Sequence, residues 1–164
     1  MILTEIKLAR IDFRLMHGQV VTNWIKQVSA DSILIVDDEL VADKFLAQVF
    51  LMAAPPGIKV AIRSIEKATQ GFKNNIFKDK KMLVLFKSVE NAHKAVMLGF
   101  PITSLQIGGL GSGTDKKMIS NELSINEKEA KMLLEIAEKG INVNFQVTPK
   151  DPKIALNEAL ASLD

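Results

Sequence analysis

The chain has 164 residues, of which 48% are apolar and 24% charged, a balance typical of a folded globular protein. A formal net charge of +2 does not favour nucleic-acid binding, and the absence of cysteine excludes disulfides and thiolate metal sites. Charges as early as Glu5 and Lys7 argue against a signal peptide, and the apolar runs are too short for a membrane span. We therefore expect a cytoplasmic protein, and the length of the chain predicts a single domain over residues 1–164.

Strand-like and helix-like segments alternate along the first third of the chain. Residues 2–9 alternate apolar and polar positions, as a strand does, and residues 20–28 carry apolar residues at helical spacing. The run 32–36 predicts a buried strand, and residues 38–54 predict a helix that Pro55-Pro56-Gly57 ends.

The same alternation continues to the end of the chain. Residues 59–62 predict a strand, Ser64 caps a helix, residues 82–86 predict a strand, and a helix runs from Ser88 to Leu98, where Gly99 ends it. Residues 102–107 predict a strand that leads into a glycine-rich loop over 108–113, and residues 118–125 predict a further strand, antiparallel at an edge. Asn126 caps a helix that ends near Gly140, residues 141–147 predict a strand, and residues 152–163 predict a closing helix.

This order of elements predicts an α/β fold, an open and mostly parallel β-sheet with helices on both faces and an antiparallel edge strand. Ligands of such sheets bind beyond the carboxyl ends of the strands. His17 follows the first predicted strand, and Asp37 and Asp38 follow the second, so we expect all three at that edge. We expect Asp38 to cap its helix and Asp37 to shape the rim.

His17 lies where the first strand turns into the first helix, and this is the strongest functional feature of the sequence. The unpaired N–H groups and positive dipole end of a helix N-terminus favour an anion. Arg10 and Arg14 flank His17 in what we interpret as one short loop. On residue types alone, an ordinary surface or hydrogen-bonded histidine is the alternative, but the combination suits a phosphoryl group carried on the imidazole.

The neighbouring residues complete this hypothesis. Arg14, with a contribution from Arg10, would neutralise the phosphoryl oxygens, and backbone N–H groups from His17 to Gln19 would bind the rest. Gly18 would let the backbone approach the phosphoryl group closely. Asp12 would orient either an arginine or the imidazole, and the sequence does not decide between them.

Two other kinds of phosphate site are excluded. The loop 108–113 lacks the lysine of a P-loop and the full dinucleotide-binding pattern. We interpret it as a flexible connection whose glycines permit positive φ. A position bordering the phosphate site stays open as an alternative. Asp37-Asp38 is similar to the acidic pocket of receiver domains, but Ile62-Arg63-Ser64 stands where such domains carry the phosphoacceptor aspartate.

Two more side chains receive structural interpretations. His93 lies in mid-helix among polar residues, so we expect a solvated helix face, and Trp24 is expected in the core. Two distant histidines and scattered carboxylates do not predict a metal site.

The run from Arg10 to Val20 resembles the phosphorylation-site signature of the IIB component of the mannose/fructose/sorbose family of the bacterial sugar phosphotransferase system. The similarity spans nearly the whole chain in the right order and continues in Trp24, Ile33 to Asp38, Ala54 to Val60, Ser64 to Ala68, Ile107-Gly108-Gly109 and Lys139-Gly140-Ile141. Phe13 departs from the pattern, because many members carry a second acidic residue there.

This resemblance implies a soluble phosphocarrier with sugar phosphotransferase activity. A cognate IIA protein would phosphorylate Nδ1 of His17, and the group would pass to a mannose-, fructose-, sorbose- or amino-sugar-class substrate entering through the membrane subunits IIC and IID. The implied partners are IIA, IIC, IID and the sugar, without nucleic acid, metal or cofactor. The implied location is the cytoplasm, with transient binding at the inner face of the cell membrane. A regulatory protein phosphorylated on His17 without coupling to transport is the alternative.

Overall fold

The structure, a computed structural model, describes residues 5–163, which form nine strands and seven helices. In chain order these are β1 (Glu5–Asp12), α1 (Gly18–Val28), β2 (Ser32–Val36), α2 (Asp38–Ala42), α3 (Lys44–Met52), β3 (Lys59–Arg63), α4 (Ile65–Lys73), β4 (Lys81–Phe86), α5 (Val89–Met97), β5 (Ser104–Gly109), β6 (Lys117–Ser120), β7 (Leu123–Ile125), α6 (Glu127–Glu138), β8 (Asn142–Phe145), β9 (Ile154–Ala155) and α7 (Leu156–Ala161).

Seven strands of the described chain form one open sheet in the order β3-β2-β4-β1-β5-β8-β9. The pairs from β3 to β8 are parallel, and β9 pairs antiparallel with β8 at one edge. This confirms the predicted fold class. Residues 118–125 do not supply the edge strand, because a turn at Asn121 and Glu122 divides them into the separate antiparallel hairpin β6–β7.

Helices cover both faces of the sheet because side chains on its buried strands alternate. Ile33 and Ile35 of β2 pack in one core with α1, α2 and α3, whereas Leu34 and Val36 pack in the other with α4 to α7. These four side chains are fully buried, and such burial contributes roughly 1.5–3 kcal/mol each to folding. The sheet is therefore a rigid platform whose carboxyl edge positions the loops.

Strand β1 extends further than its sequence pattern predicts. The predicted strand over 2–9 lies partly outside the described residues, and the observed strand continues to Asp12. Arg10 pairs with Gln106, and Asp12 with Gly109, across the β1–β5 ladder. The prediction that Arg10 belongs to the loop before His17 is therefore wrong: strand neighbours on both sides keep this polar segment extended.

Several other boundaries differ from prediction. The helix predicted over 38–54 breaks at Asp43, whose side chain accepts a hydrogen bond from the Leu46 N–H and starts a new helix. Strand β5 lies two residues later than predicted, so Gly108 and Gly109 are strand residues. The closing helix starts later than residue 152 because the chain first pairs as β9. The caps at Ser64, Ser88 and Asn126 are confirmed.

Candidate functional site

His17 lies at the N-terminus of α1, just beyond the carboxyl end of β1. It is the N-cap residue, in extended conformation (φ −147°, ψ 134°), and its side chain makes no capping hydrogen bond. The first turn of α1 contains no acidic residue. The N–H groups and positive dipole end of this helix therefore remain available to an anion at the predicted position.

The connection from β1 into α1 has two residues with positive φ, Leu15 (φ +57°) in the loop and Gly18 (φ +48°) at the first position of α1. Leu15 is an unusual residue for this conformation, and such strained positions concentrate at functional sites. Its N–H donates to the Asp12 carbonyl at 2.9 Å, and its side chain is buried beside that of Met16. Buried anchors and a tight turn thus place His17 at the start of the helix.

The imidazole of His17 is half-buried, and its Nδ1 atom is enclosed without a hydrogen-bond partner. A buried polar nitrogen normally finds a partner, because leaving it unpaired costs free energy. The ring therefore carries an unused donor or acceptor position beside an uncapped helix N-terminus.

Arg14 is held by two carboxylates. Its Nε donates to Asp12 Oδ1 at 3.1 Å, its Nη2 lies 3.4 Å from Asp12 Oδ2, and its Nη1 donates to Glu122 Oε1 at 2.9 Å. Burial opposes the charge of Arg14, but the hydrogen bonds and charges of Asp12 and Glu122 outweigh burial and raise its pKa. Asp12 thus orients an arginine, one of the two roles left open by the sequence.

Arg10 has an interior position. Its guanidinium donates to the Gln106 side chain, to the Gln146 carbonyl at 3.0 Å and to the Val147 carbonyl at 2.8 Å, and it lies 3.5 Å from Asp12 Oδ2. Burial lowers its pKa to about 10 although the charge of Asp12 opposes that shift, so it remains charged at neutral pH. With 2% of its side chain exposed, Arg10 connects β1, β5 and the segment after β8.

Two glycines at the end of β5 make room for these charged side chains. A Cβ on Gly108 would lie 1.9 Å from Arg10 Cζ, and one on Gly109 would lie 2.8 Å from Asp12 Oδ1 and 3.0 Å from Arg14 Nη2. Neither glycine has a positive φ, and neither do Gly111 and Gly113. The expectation that this segment uses glycine for positive φ is therefore wrong. At Gly108 and Gly109, glycine is needed because a larger side chain would clash with Arg10, Asp12 or Arg14.

Asp37 and Asp38 lie at the carboxyl end of β2, as predicted, but their expected roles are reversed. Asp37 caps α2 by accepting from the Leu40 N–H at 2.8 Å. Asp38 accepts from the Ile65 N–H at 2.8 Å and lies 3.2 Å from Lys94 Nζ, so it connects the starts of α2 and α4 with α5. Both carboxylates have structural partners.

The side chains of His93 and Trp24 both pack against other parts of the fold. His93 is 24% exposed and its Nε2 lies 3.7 Å from Glu135 Oε2 of α6, so the expected solvated helix face is wrong. Trp24 is buried, as predicted, and its Nε1 donates to the Val147 carbonyl at 3.1 Å beneath the Arg10 guanidinium. No three potential metal ligands cluster within residues 5–163.

Sequence reasoning missed Glu122, Gln106 and Gln146, which contact the two arginines from distant parts of the chain. Glu122 is 108 residues from Arg14 in sequence, and no local pattern indicates that the β6–β7 turn meets the His17 loop. The paired Gly108-Gly109 beside a charged strand is the one sequence signal that could have indicated close packing here.

The chain is similar in sequence to sugar phosphotransferase components. A family model described as the PTS system sorbose subfamily IIB component matches residues 6–163. The sorbose-specific EIIB component of Lacticaseibacillus casei is 34% identical over 97% of this chain and 95% of its own length. The mannose-specific EIIAB component of Escherichia coli strain K12 is 30% identical over 97% of this chain, which spans only 49% of that relative.

Solved structures show the same likeness. The IIBSor domain of the sorbose permease from Klebsiella pneumoniae matches with a TM-score of 0.90 and 31% identity over 98% of each chain. The manxB protein from Thermoanaerobacter tengcongensis matches with a TM-score of 0.91 and 38% identity, also over 98% of each chain. Within residues 5–163, no helix is long and apolar enough to cross a membrane.

Proposed function

The chain belongs to the sorbose-subfamily IIB components of the sugar phosphotransferase system, and on this premise we propose that it is a phosphocarrier that accepts a phosphoryl group on His17. The observation that carries the proposal is the position of His17 at the uncapped N-terminus of α1, three residues after Arg14. A helix N-terminus and a nearby guanidinium are complementary to a phosphoryl dianion.

The transfer consists of two displacements at phosphorus. In the first, the unprotonated ring nitrogen of neutral His17 bonds to phosphorus while the bond to the donor's histidine nitrogen breaks; the other His17 ring nitrogen loses its proton, and the released donor imidazole gains one. In the second, a sugar hydroxyl oxygen bonds to phosphorus, the bond to His17 breaks, and the hydroxyl proton ends on the released imidazole. Phosphoryl transfer needs mainly positioning and charge stabilisation from the protein.

The residues around His17 have distinct proposed roles. The Arg14 guanidinium and the N–H groups of Gly18 and Gln19 stabilise the charge on the transferring oxygens. Asp12 orients Arg14 through its contacts with Nε and Nη2. Arg10 supports Asp12 from the interior, so its contribution to phosphate binding is indirect.

The resemblance noted in the sequence points to Nδ1 as the phosphorylated atom, and Nδ1 is enclosed here. We propose that docking of the donor turns the imidazole about its side-chain bonds and exposes this nitrogen. The His17 side chain as a whole is half-buried, so the ring keeps partial access to solvent although Nδ1 is enclosed.

The proposed donor is a IIA protein, and the proposed acceptor is a sugar delivered by the membrane subunits IIC and IID. Relatives named as mannose-, sorbose- and fructose-specific components support a sugar of that class. The name EIIAB of a relative twice as long as this chain supports a IIA donor. We further propose a cytoplasmic protein that binds transiently at the inner face of the cell membrane.

Labelling by a phosphorylated IIA protein tests the proposal. We expect His17→Ala to abolish incorporation of the label, because the helix N-terminus and Arg14 then lack a nucleophile. His93→Ala is the matched control and should label like the wild type, since His93 of α5 faces Glu135 of α6. Equal labelling of the wild type and His17→Ala would refute the assignment of His17.

A further inference from the structure

Arg14 is already occupied in the unphosphorylated protein. The Arg14 guanidinium carries five N–H donors, and three contacts to carboxylates engage its Nε, Nη1 and Nη2 atoms. A phosphoryl group on His17, which the proposed function pairs with Arg14, therefore meets an arginine that already has two counter-ions. Within residues 5–163, two guanidinium N–H groups remain free, but the Nη1–H that Glu122 accepts can serve a phosphoryl oxygen only when that contact yields.

The summed charge of the side chains around Arg14 also favours displacement of one carboxylate by a phosphoryl group. Arg10 and Arg14 contribute two positive charges, and Asp12 and Glu122 contribute two negative charges, so the cluster is neutral as a whole. A phosphoryl group adds about 1.5 to 2 negative charges at neutral pH. Departure of one carboxylate would leave the cluster with a positive charge beside the incoming anion.

Asp12 is the fixed member of the two carboxylates. It is 1% exposed, lies between both arginines and also accepts the Arg14 N–H at 3.0 Å. Moving it would leave a buried charge on Arg10 without its counter-ion, which is strongly unfavourable. Asp12 therefore stays in place when the site is occupied.

Glu122 is the exchangeable member. Its side chain is 48% exposed and makes a single ion pair, to Arg14 Nη1, from the turn between β6 and β7. A cavity of about 360 Å³ lies beside it, lined in part by Asn121, Val147 and Thr148, and gives the side chain room to move aside. Exposed ion pairs of this kind are weak enough to exchange.

We propose that Glu122 is a displaceable counter-ion: it occupies Arg14 in the empty carrier and is replaced by the phosphoryl group on His17. The inference rests on the proposed function and deepens it by adding a positioning residue to the same site. Competition from Glu122 weakens phosphate binding, and a carrier benefits because it must release the group it accepts. The β6–β7 turn thereby becomes a part of the chain that responds to phosphorylation.

Inorganic phosphate titrated into the 15N-labelled full chain provides a direct test. Backbone amide shifts of Gly18 and Gln19 report anion binding at α1, and shifts of residues 121–123 report movement of the turn. We expect Glu122→Gln to bind phosphate roughly two- to fivefold more tightly than the wild type, the range that follows from partly exposed ion pairs. In the wild type, the turn residues should shift together with Gly18.

Two further variants sharpen the comparison. Glu138→Gln removes the same charge from an exposed position in the last turn of α6 and should leave phosphate affinity unchanged. Glu122→Asp keeps the charge but shortens the side chain by one methylene, so its affinity should lie between those of the wild type and Glu122→Gln.

Each outcome decides a different question. Equal affinity of wild type and Glu122→Gln, or a turn that does not respond to phosphate, overturns the counter-ion inference. An equal gain in Glu138→Gln also overturns it, because net charge alone would then explain the effect. Labelling of His17 by phosphorylated IIA, measured on the same samples, tests the proposed function independently of Glu122. A wild type that is not labelled refutes the proposed function. Normal labelling combined with equal phosphate affinity of the wild type and Glu122→Gln refutes only the role of Glu122.

Discussion

Arg10 and Arg14 show how position relative to the sheet decides the role of a side chain. Arg10 and Asp12 lie two residues apart on β1 and therefore share a face of the strand. Arg10 is enclosed there by carbonyl groups and Gln106, which satisfy a charge that would otherwise be costly to bury. Arg14 follows the end of the strand and is 27% exposed, so part of its side chain stays accessible to solvent.

Arg14→Lys tests this role of Arg14. Lysine retains a positive charge but cannot contact Asp12 through two nitrogens and a phosphoryl oxygen through a third. We expect phosphoryl transfer to and from His17 to slow by about tenfold to a hundredfold, as loss of one charge-assisted contact of ~1.5–3 kcal/mol from the transition state predicts. Single-turnover rates with labelled donor measure the effect.

Arg63→Lys is the matched control, because Arg63 is exposed at the carboxyl end of β3 and its guanidinium donates to the neighbouring Ile62 carbonyl at 2.8 Å. Its transfer rate should equal that of the wild type. An unchanged rate in Arg14→Lys would remove Arg14 from the site.

At the scale of secondary-structure elements, the pairing of β1 with β5 builds the charged cluster. Strand β5 ends in Gly108 and Gly109, and the absence of side chains there leaves the space that Arg10, Asp12 and Arg14 occupy. The register shift between Ile11 and Asp12 in this ladder lies at the same point. The last two residues of β5 are thus packed against charged side chains from the end of β1 and from the loop that follows it.

Gly108→Ala tests this close packing. Its Cβ would lie 1.9 Å from Arg10 Cζ, so Arg10 or the strand must shift. We expect the free energy of unfolding to fall by about 1–3 kcal/mol, the usual effect of overpacking, in chemical denaturation followed by circular dichroism.

Gly111→Ala is the control, because a Cβ on Gly111 has no atom within 4 Å and stability should change little. The two effects should converge in an Arg10→Ala background, because the Cβ of Gly108→Ala no longer meets the guanidinium there and its cost should largely disappear. Equal losses of stability at positions 108 and 111 would contradict this packing argument.

At the scale of the whole molecule, the carboxyl edge of the sheet adjoins an exposed apolar surface on α3. None of the α3 side chains is buried, and Phe45 and Met52 are 81% and 77% exposed. A cavity of about 200 Å³ connects this region with the site, since Phe13 and Arg14 line it together with Phe50. Extended exposed apolar surface of this kind commonly marks a contact with another protein.

A partner that docks here should bind weakly, because the proposed carrier role requires the protein to exchange its donor for its acceptor. We expect micromolar-class binding of a IIA protein that weakens as salt rises, since exposed charges are screened within about 8–10 Å at physiological ionic strength. Backbone shifts measured during titration of unlabelled IIA into the labelled protein should cluster around Phe13, Gly18 and Phe45.

Repeating that titration at high salt provides the control for the electrostatic contribution. Shifts clustered on the opposite edge of the sheet, or a nanomolar complex insensitive to salt, would contradict this picture of a shuttling carrier.

The order of strands and helices was predictable from the sequence because local periodicity and capping residues specify those elements directly. Strand 32–36 and the caps at Ser64, Ser88 and Asn126 are local patterns, and the structure contains each of them. The position of His17 at a helix N-terminus follows from the same local rules.

The surroundings of the candidate site depended on the tertiary structure. The end of β1 at Asp12, the burial of Arg10 and the ion pair of Arg14 with Glu122 arise from contacts between segments about 100 residues or more apart. No periodicity within one segment carries such information, because the free energy of these charges depends on which distant groups enclose them. The sequence by itself determined which elements form and where the histidine lies, whereas packing decided which arginine is buried and which stays partly exposed.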